Sequence, residues 1–443
     1  MGQRFIAADR EQVFLMAPDV RDWLPAGHLA WFVLDAVGAF ELGAFYAGYR
    51  VDGRGRPAFD PGLMVGLVVY AYCVGERSSR RIERRCVEDV AFRVIAGNHA
   101  PDHATIARFV VRHERALAGL FGQVLAMCAR SGLVRVGTVA VDSTKLAADA
   151  SRRANMDYER IAREIVREGI AADRAEDERY GSARGDELPP ELADPRTRRE
   201  RLRAAKAELE REWAAERERR EAMLARRAEH QARTGRRPMG RPPKPREMSG
   251  PPPGQLNVTD PCSRPQRTAR GFIQGYNAHA VATADQIVIA AELTNSPSDR
   301  AMLAPMIGAA RAQLAAAGIT QQPAIALADA GYWNTRQIEQ LTATGMTVLV
   351  APDAHHRNGQ PARGTRSPLA ARMRQALAAG PGRERYKQRQ QIIEPIFGHT
   401  KHNRRFDRFR RRGLAACQAE WQLITATGNL LKLYRASTPT AAA

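Results

Sequence analysis

Three acidic residues lie in or directly after apolar stretches, where an isolated carboxylate would be energetically unfavourable. Asp142 ends the apolar run VGTVAVD, Asp329 ends AIALAD, and Glu394 lies in QIIEPIFGHTK, ahead of an arginine-rich segment. An unpaired buried carboxylate is strongly disfavoured, so strands that each deliver an aspartate need a compensating charge. Divalent Mg²⁺ or Mn²⁺, which suits oxygen ligands, would supply it. Two such ions held roughly 3.5–4 Å apart by shared acids cut and rejoin phosphodiesters.

Each acid also has an ordinary structural explanation. Aspartates at strand ends often cap the next turn, and a helical glutamate is usually a solvated surface residue. The metal hypothesis therefore depends on the three acids together and on the motifs around them. The scattered histidines show no convincing triad pattern, and a metal-activated nucleophile requires none.

The elements that must position these acids follow a mixed α/β pattern. After VGTVAVD and a long interruption, GFIQGYNAHAVATA and QIVIAAELT read as adjacent strands joined around Asp285. A helix at 299–317, the strand AIALAD, a helix near 334–342, a strand at 347–352 and C-terminal helices complete the order. This order predicts a three-strand meander followed by parallel strand–helix crossovers, and hence a mixed sheet with helices on both faces.

Residues 1–130 are predicted to form an all-helical domain. Apolar residues recur there at helical spacing, with breaks at Gly75–Glu76 and Gly97–Asn98. Its polar faces carry the arginines Arg80, Arg81, Arg84, Arg85, Arg108, Arg112 and Arg115. Such a domain either contacts DNA or simply presents a solvated basic face.

The rest of the chain divides around an insertion. Residues 131–151 hold the first strand of the α/β domain, 152–259 form a helical and Pro-rich basic insertion, 260–436 complete the domain, and 437–443 are a disordered tail. Residues 196–230 predict a long solvated helix, because Glu216 breaks the heptad pattern. Arg241 follows in a Pro-rich basic stretch that is either a plain linker or an extended segment for a narrow DNA minor groove.

Charge indicates the class of partner. The chain has 443 residues, with 68 Lys and Arg against 48 Asp and Glu, a formal charge of +20. This excess points to a polyanion, either nucleic acid or an anionic membrane surface. Membrane is the weaker option, because the longest apolar run, 63–74, is too short to span a bilayer and the N-terminus lacks a signal-peptide pattern. Five scattered cysteines fit a reducing cytosol.

The order and spacing of several motifs resemble a DDE transposase of a bacterial insertion sequence, of the insertion-sequence 1182 type, with a ribonuclease-H-like catalytic core. DPGLMVGLVVYAYCVGERSSRRIER and PDHATIARF resemble the N-terminal domain of that group. VAVDSTKL, TDPCSR, GFIQGYNAHAV, ALADAGYWN and EPIFGHTKHNRRFDRFRRRGL resemble its catalytic core. The resemblance implies that Asp142, Asp329 and Glu394 hold two Mg²⁺ or Mn²⁺ ions for cleavage and strand transfer.

The same resemblance implies the partners and the setting. The partners are double-stranded DNA at the terminal inverted repeats of the element and at the target, and a second copy of the chain on that DNA, with no membrane. The location is the bacterial cytoplasm, with the nucleoid. Two rival classes remain: a domesticated DNA-binding protein without catalysis, and a ribonuclease-H-fold nuclease without strand transfer.

Related transposases also carry Tyr, two residues, Arg, three residues, Glu, six residues and Lys. Tyr386, Arg389, Glu394 and Lys401 follow this signature, except that four residues separate Arg389 from Glu394. In a continuous helix the extra residue rotates Arg389 by about 100°; alternatively, Pro395 starts the helix and leaves 386–393 outside it. The resemblance implies DNA contacts for Tyr386, Arg389 and Lys401.

Residues 401–412, KHNRRFDRFRRR, are strongly basic. On a helix, one stripe would contain Lys401, Arg404, Arg405 and Arg408, which would bind the DNA backbone or form a solvated face. Tyr332 and Trp333, next to the second acid, either stack on an unpaired base or pack their loop onto the core.

Overall fold

The computed structural model describes residues 19–49, 58–167, 198–238, 252–352 and 367–437. The N-terminal part of these residues is helical, as the apolar spacing predicts. Its helices are α1 (Leu29–Gly38), α2 (Gly43–Tyr46), α3 (Pro61–Cys73), α4 (Ser79–Glu88), α5 (Val90–Ile95), α6 (His103–Arg112) and α7 (Glu114–Arg130). Asp60 caps the start of α3 by accepting a hydrogen bond from the Leu63 amide. The turns between these short helices let their apolar sides pack into one core.

A mixed sheet follows. Its strands are β1 (Thr138–Ala147), β4 (Arg264–Thr268), β5 (Gly271–Thr283), β6 (Val288–Thr294), β7 (Ile325–Ala328) and β8 (Thr347–Val350), while β2 (Asn155–Asp157) and β3 (Gln255–Asn257) form a separate pair. β1, β5 and β6 pair antiparallel, whereas β1, β7 and β8 pair in parallel. The strand order is β4-β5-β1-β7-β8, with β6 also on β5. The expected meander and parallel crossovers are therefore both present.

Helices connect and cover the parallel strands. They are α10 (Leu303–Ala316), α11 (Thr335–Ala343), α12 (Pro368–Ala378), α13 (Gly380–Gly398) and α14 (Leu414–Ser437). The helix expected from residue 299 thus begins four residues later, after an irregular stretch. The two long segments β5 and β1 approach closely at Gly275, where a Cβ would lie 2.1 Å from the carbonyl oxygen of Leu146. Only glycine fits this approach.

One hydrophobic core joins the N-terminal helices to the sheet. α14 packs on α3 and α7 as well as on β6, and its Trp421 is fully buried and donates from Nε1 to the carbonyl of His279 at 2.9 Å. The boundary expected near residue 130 is therefore a change of secondary structure and not a gap in the core.

The insertion has a small core of its own. It contains α8, helical over 158–167, and α9 (Arg198–Thr234). Met156, Ile161, Leu202, Leu209 and Leu256 pack together, and beyond this cluster α9 is largely exposed, as the failed heptad pattern predicts. The extended segment with Arg241 and the tail at 438–443 lie outside the described residues. Among the helices that are described, none is long and apolar enough to cross a membrane.

Candidate active site

Asp142 and Asp329 lie side by side on neighbouring parallel strands. β1 and β7 pair as far as Val141 and Ala328, so each aspartate is the next residue on its chain segment. β1 continues past Asp142 to Ala147, because β5 still pairs with it there. Asp142 therefore marks the point where β1 parts from β7, and the expectation that it lies at the tip of its strand is wrong.

This position is unfavourable for two negative charges. Burial, followed by repulsion from Asp329, raises the pKa of Asp142 to about 6. Burial also raises the pKa of Asp329, and the charge of a third carboxylate, Asp299, adds to that effect. A nearby cation would favour the charged form of both aspartates.

Arg389 supplies positive charge in this structure. Its Nη1 lies 2.7 Å from Asp142 Oδ2, and its Nη2 lies 3.7 Å from Glu394 Oε1. The Arg389 side chain is 13% exposed, whereas that of Glu394 is 54% exposed. The guanidinium thus links the aspartate pair to the third predicted acid, and its charge opposes the increase in the pKa of both Asp142 and Asp329.

Arg389 and Glu394 belong to one uninterrupted helix. Pro395 lies inside α13, so the alternative in which Pro395 starts the helix is wrong. Proline has no N–H for the carbonyl of Gln391, and the side chain of Gln286 donates to that carbonyl instead, at 2.8 Å. This contact ties the end of α13 that carries Glu394 to the turn between β5 and β6.

The extra residue in the signature has a visible consequence. Five positions separate Arg389 from Glu394, so the two side chains leave the helix roughly 140° apart. Arg389 faces β1 and is engaged by Asp142. A DNA contact by Arg389, which stays a prediction, requires it to leave that carboxylate.

Asp299 is a further acid of this cluster, and sequence reasoning missed it. Its Oδ1 accepts hydrogen bonds from Asn277 Nδ2 at 2.6 Å and from Ser143 Oγ at 2.8 Å, and Lys145 Nζ lies 3.4 Å away. Burial alone would raise the pKa of Asp299, but the Asn277 hydrogen bond and the Lys145 charge lower it. The only sequence signal was a polar NSPSD stretch after β6, which resembled the start of a helix.

The aromatic residues after Asp329 pack into the protein. Tyr332 is fully buried and Trp333 is 7% exposed. Tyr332 Oη lies 2.7 Å from His279 Nδ1, and burial lowers the pKa of His279, which is therefore neutral at neutral pH. Of the two alternatives for these rings, the structure shows loop packing and not an exposed stacking platform.

The arginine-rich segment is not a helix. After α13 the chain makes a π-helical turn at His399–Asn403 and then runs without a helix to α14. A short bridge between Ala147 and Arg408 attaches the segment to the end of β1. The predicted single helical stripe is therefore wrong for Lys401, Arg404, Arg405 and Arg408.

Arg404 is a buried structural residue, 3% exposed. Its guanidinium donates to the carbonyls of Tyr72 and Ile424, both at 2.9 Å, and to the hydroxyl of Thr427. Its own carbonyl abuts Gly75, where a Cβ would come within 2.6 Å. Arg404 joins α3 to α14 and has no access to a DNA phosphate, so the predicted contact is wrong for this residue.

Arg405 and Arg408 line an open cavity of about 780 Å³ between α4 and the arginine-rich segment, here called the basic cavity. Its other charged residues are Arg77, Arg81, Arg85, Arg404, Arg410, Glu76, Asp149 and Asp407. Arg81 pairs with Glu76 at 3.1 Å, and Arg77 pairs with Glu420 at 3.3 Å. Without the buried Arg404, six arginines stand against three acids, so the lining carries excess positive charge.

The other predicted DNA contacts have different surroundings. Lys401 Nζ donates to the carbonyl of Lys145 at 2.8 Å, and burial lowers the pKa of Lys401. Tyr386 packs half-buried against the core, and burial raises its pKa. Arg241 lies outside the described residues. DNA binding by Lys401, Tyr386 and Arg241 stays a prediction.

The donor set suits a divalent cation, but the side chains are not yet arranged around one. Within the described ranges, no three Asp, Glu, His or Cys side chains form a group ready to hold a metal ion. Asp142 and Asp329 are adjacent, while the guanidinium of Arg389 stands between Asp142 and Glu394. Carboxylate oxygens are the ligands that Mg²⁺ prefers, so the chemistry of these acids suits the ion, although their arrangement in this structure does not enclose one.

Two parts of the chain match families of transposase domains. Residues 18–112 match the family described as "Transposase domain (DUF772)", and residues 253–430 match the "Transposase DDE domain". Comparison with curated proteins gave no significant match, and neither did comparison with solved structures. Together the two domain matches support a DDE transposase, an enzyme that cleaves DNA. The DDE match implies that the mixed sheet is a ribonuclease-H-like fold.

Proposed function

We propose that the chain is the transposase of a bacterial insertion sequence, of the 1182 type. It cuts DNA at the terminal inverted repeats of its element and joins the freed 3′ ends to target DNA. The observation that carries this proposal is the adjacency of Asp142 and Asp329 on parallel strands, with Glu394 connected to them through Arg389.

Asp142, Asp329 and Glu394 would hold two Mg²⁺ or Mn²⁺ ions. When bound, such ions activate a water or a 3′-hydroxyl and stabilise the departing oxygen. The protein contributes carboxylates whose burial and mutual repulsion raise the pKa of Asp142, which favours binding of positive charge. Because Glu394 is half-exposed at the end of α13, its side chain can turn toward the aspartates without disturbing the core.

The basic cavity would bind the DNA backbone. Its arginines come from both α4 and the segment before α14, so they converge from the two matched transposase regions. Arg408 also bridges to the end of β1, the strand that carries Asp142. A phosphate held here would therefore lie at the end of the strand that carries Asp142. Contacts to phosphates bind DNA without reading its sequence.

Two transposon ends have to be joined in one reaction, so the active form would be a dimer on DNA. DNA recognition would be shared by the N-terminal helices and the basic insertion. These regions supply exposed arginines on α4, such as Arg84, and the largely exposed outer half of α9.

The test is cleavage of a labelled duplex that carries the DNA flanking the coding sequence. Wild-type protein should nick it only with Mg²⁺ or Mn²⁺, and Asp142→Asn should lower the rate at least about 100-fold, because the metal site loses a charged ligand. Asp285→Asn is the matched control, since Asp285 pairs with Arg135 at the surface. Equal cleavage by wild type and Asp142→Asn would refute the assignment of the acids.

Strand transfer separates the proposal from its rivals. With pre-cleaved ends and a plasmid target, a transposase forms joined products, whereas a ribonuclease-H-fold nuclease yields only cut DNA. A domesticated DNA-binding protein would retain duplexes without cutting or joining them.

A further inference from the structure

The two oxygens of Asp299 have different environments. Oδ1 accepts from Asn277 and Ser143 and lies 3.4 Å from Lys145 Nζ. Among the described residues, none donates a hydrogen bond to Oδ2. Hydrogen bonds therefore fix the carboxylate through Oδ1, while Oδ2 stays available to bind a ligand. Metal-binding carboxylates are commonly oriented by hydrogen bonds in this way.

The available oxygen lies beside Asp329. A Cβ placed on Gly331 would lie 3.2 Å from Asp299 Oδ2 and 3.1 Å from Asp329 Oδ1. Both oxygens thus border the same small space, and the absence of a side chain at Gly331 keeps it open. Two carboxylate oxygens converging on one space are unfavourable unless a cation or a water separates them.

An unsatisfied polar atom lies next to this carboxylate. Asn277 is fully buried, and its Oδ1 has no hydrogen-bond partner. The orientation of the amide is fixed, because the charged carboxylate of Asp299 accepts hydrogen bonds and only Nδ2 can donate one. A buried amide oxygen without a partner indicates a missing donor or cation.

We propose that Asp299 is a fourth acidic ligand of the divalent-cation site and binds the ion through Oδ2, beside Asp329. This inference rests on the proposed function, since it assigns one more residue to the same cation site. A water on the ion would provide the donor that Asn277 Oδ1 lacks. The site then draws its acids from the middle of β1, from the end of β7, from α13 and from the segment before α10.

The competing explanation is that Asp299 only ties β1, β5 and the segment before α10 together. Asp299→Asn separates the two explanations, because the amide oxygen still accepts at Oδ1 whereas the free anionic oxygen is lost. Ser143→Ala is the matched control: it removes one hydrogen bond to Oδ1 and leaves Oδ2 unchanged.

Binding of Mn²⁺ to the full-length protein without DNA, measured by calorimetry, is the readout, alongside thermal unfolding. We expect Asp299→Asn to weaken Mn²⁺ binding roughly 10- to 100-fold and Ser143→Ala to weaken it clearly less, because Asn277 still donates to Oδ1 and Oδ2 is unchanged. Unchanged Mn²⁺ affinity in folded Asp299→Asn, or equal losses in both variants, would overturn the inference.

A second measurement uses the wild-type protein and so does not depend on the variant folding. Fe²⁺ bound in the site, given ascorbate and peroxide, cleaves the backbone near its ligands. Cuts are expected near Asp142, near Asp329 and in the segment 298–300. Cuts at the first two places alone overturn the role of Asp299 but keep the proposed function, whereas no specific Mn²⁺ binding and no cuts count against both.

Discussion

Arg389 Nη1 lies 2.7 Å from Asp142 Oδ2, so a guanidinium occupies the side of the carboxylate that faces α13 and Glu394. The contact is largely shielded from water, since both side chains are less than one-fifth exposed. If Asp142 binds a divalent cation as proposed, Arg389 would compete with that cation for the same acid in the absence of DNA. A DNA phosphate would be an alternative partner for Arg389 and would release Asp142.

Replacement of Arg389 by Gln should strengthen Mn²⁺ binding in the absence of DNA, by roughly tenfold, because a competing positive charge is removed. The same change should lower the free energy of unfolding without metal by about 1–3 kcal/mol, because the shielded acids lose their counter-charge. Calorimetry and urea denaturation measure the two effects. Arg385→Gln, on the exposed side of α13, is the control, and equal Mn²⁺ affinity in both variants would contradict the competition.

Replacement of Arg404 by Met should destabilise the whole fold. The change removes the hydrogen bonds that the guanidinium donates to the carbonyls of Tyr72 and Ile424 and to the hydroxyl of Thr427, at a cost of about 2–5 kcal/mol in the free energy of unfolding. Arg410→Ala, in the exposed lining of the basic cavity, should change stability by less than about 0.5 kcal/mol. Similar denaturation midpoints for the two variants would show that Arg404 is not a structural tie.

The basic cavity should determine part of the salt dependence of DNA binding. Each phosphate contact contributes a slope of roughly −0.9 in the logarithm of affinity against the logarithm of salt concentration. Arg408→Ala combined with Arg410→Ala should make that slope shallower by about 1 to 2, for any DNA sequence, in a fluorescence-anisotropy titration.

The control for this titration is Arg336→Ala, an exposed arginine on α11 that lies outside the cavity lining. It should change the slope less than the double variant does. A double variant that keeps the wild-type slope would exclude the basic cavity as a site of phosphate contact.

Stability should fall on acidification partly through His399. Burial, followed by the charges of Arg404 and Arg435, lowers the pKa of His399 from 6.5 to about 4. Between these values the unfolded chain binds more protons than the folded one, so the stability contributed by the neutral imidazole is lost as the pH falls from 6.5 toward 4. In His399→Gln the Tm should therefore decline less over this range than in wild type, and parallel declines would contradict the assignment.

Sequence reasoning located the parts of the site that follow from local patterns. Asp142 and Asp329 end apolar runs, and parallel pairing of those runs brings them together. It missed Asp299, because only the fold brings that loop residue to Ser143 and Asn277.

Sequence reasoning also placed Arg404 on an exposed helical stripe, which is wrong. The π-helical turn at His399–Asn403 comes before Arg404, so the regular helical spacing that the prediction assumed does not continue to this residue. Secondary structure was thus more predictable than the partners of individual charged side chains. An arginine reads as exposed in sequence, and only tertiary contacts show that Arg404 donates to buried carbonyls.

The packing of α14 against both the sheet and the N-terminal helices limits how such a protein can be divided or recombined. A fragment starting near residue 131 would expose to water the apolar side of α14 that covers α3 and α7, and aggregation would be expected. Exchange of the first 130 residues with those of another element would succeed only if the incoming helices reproduced that buried surface.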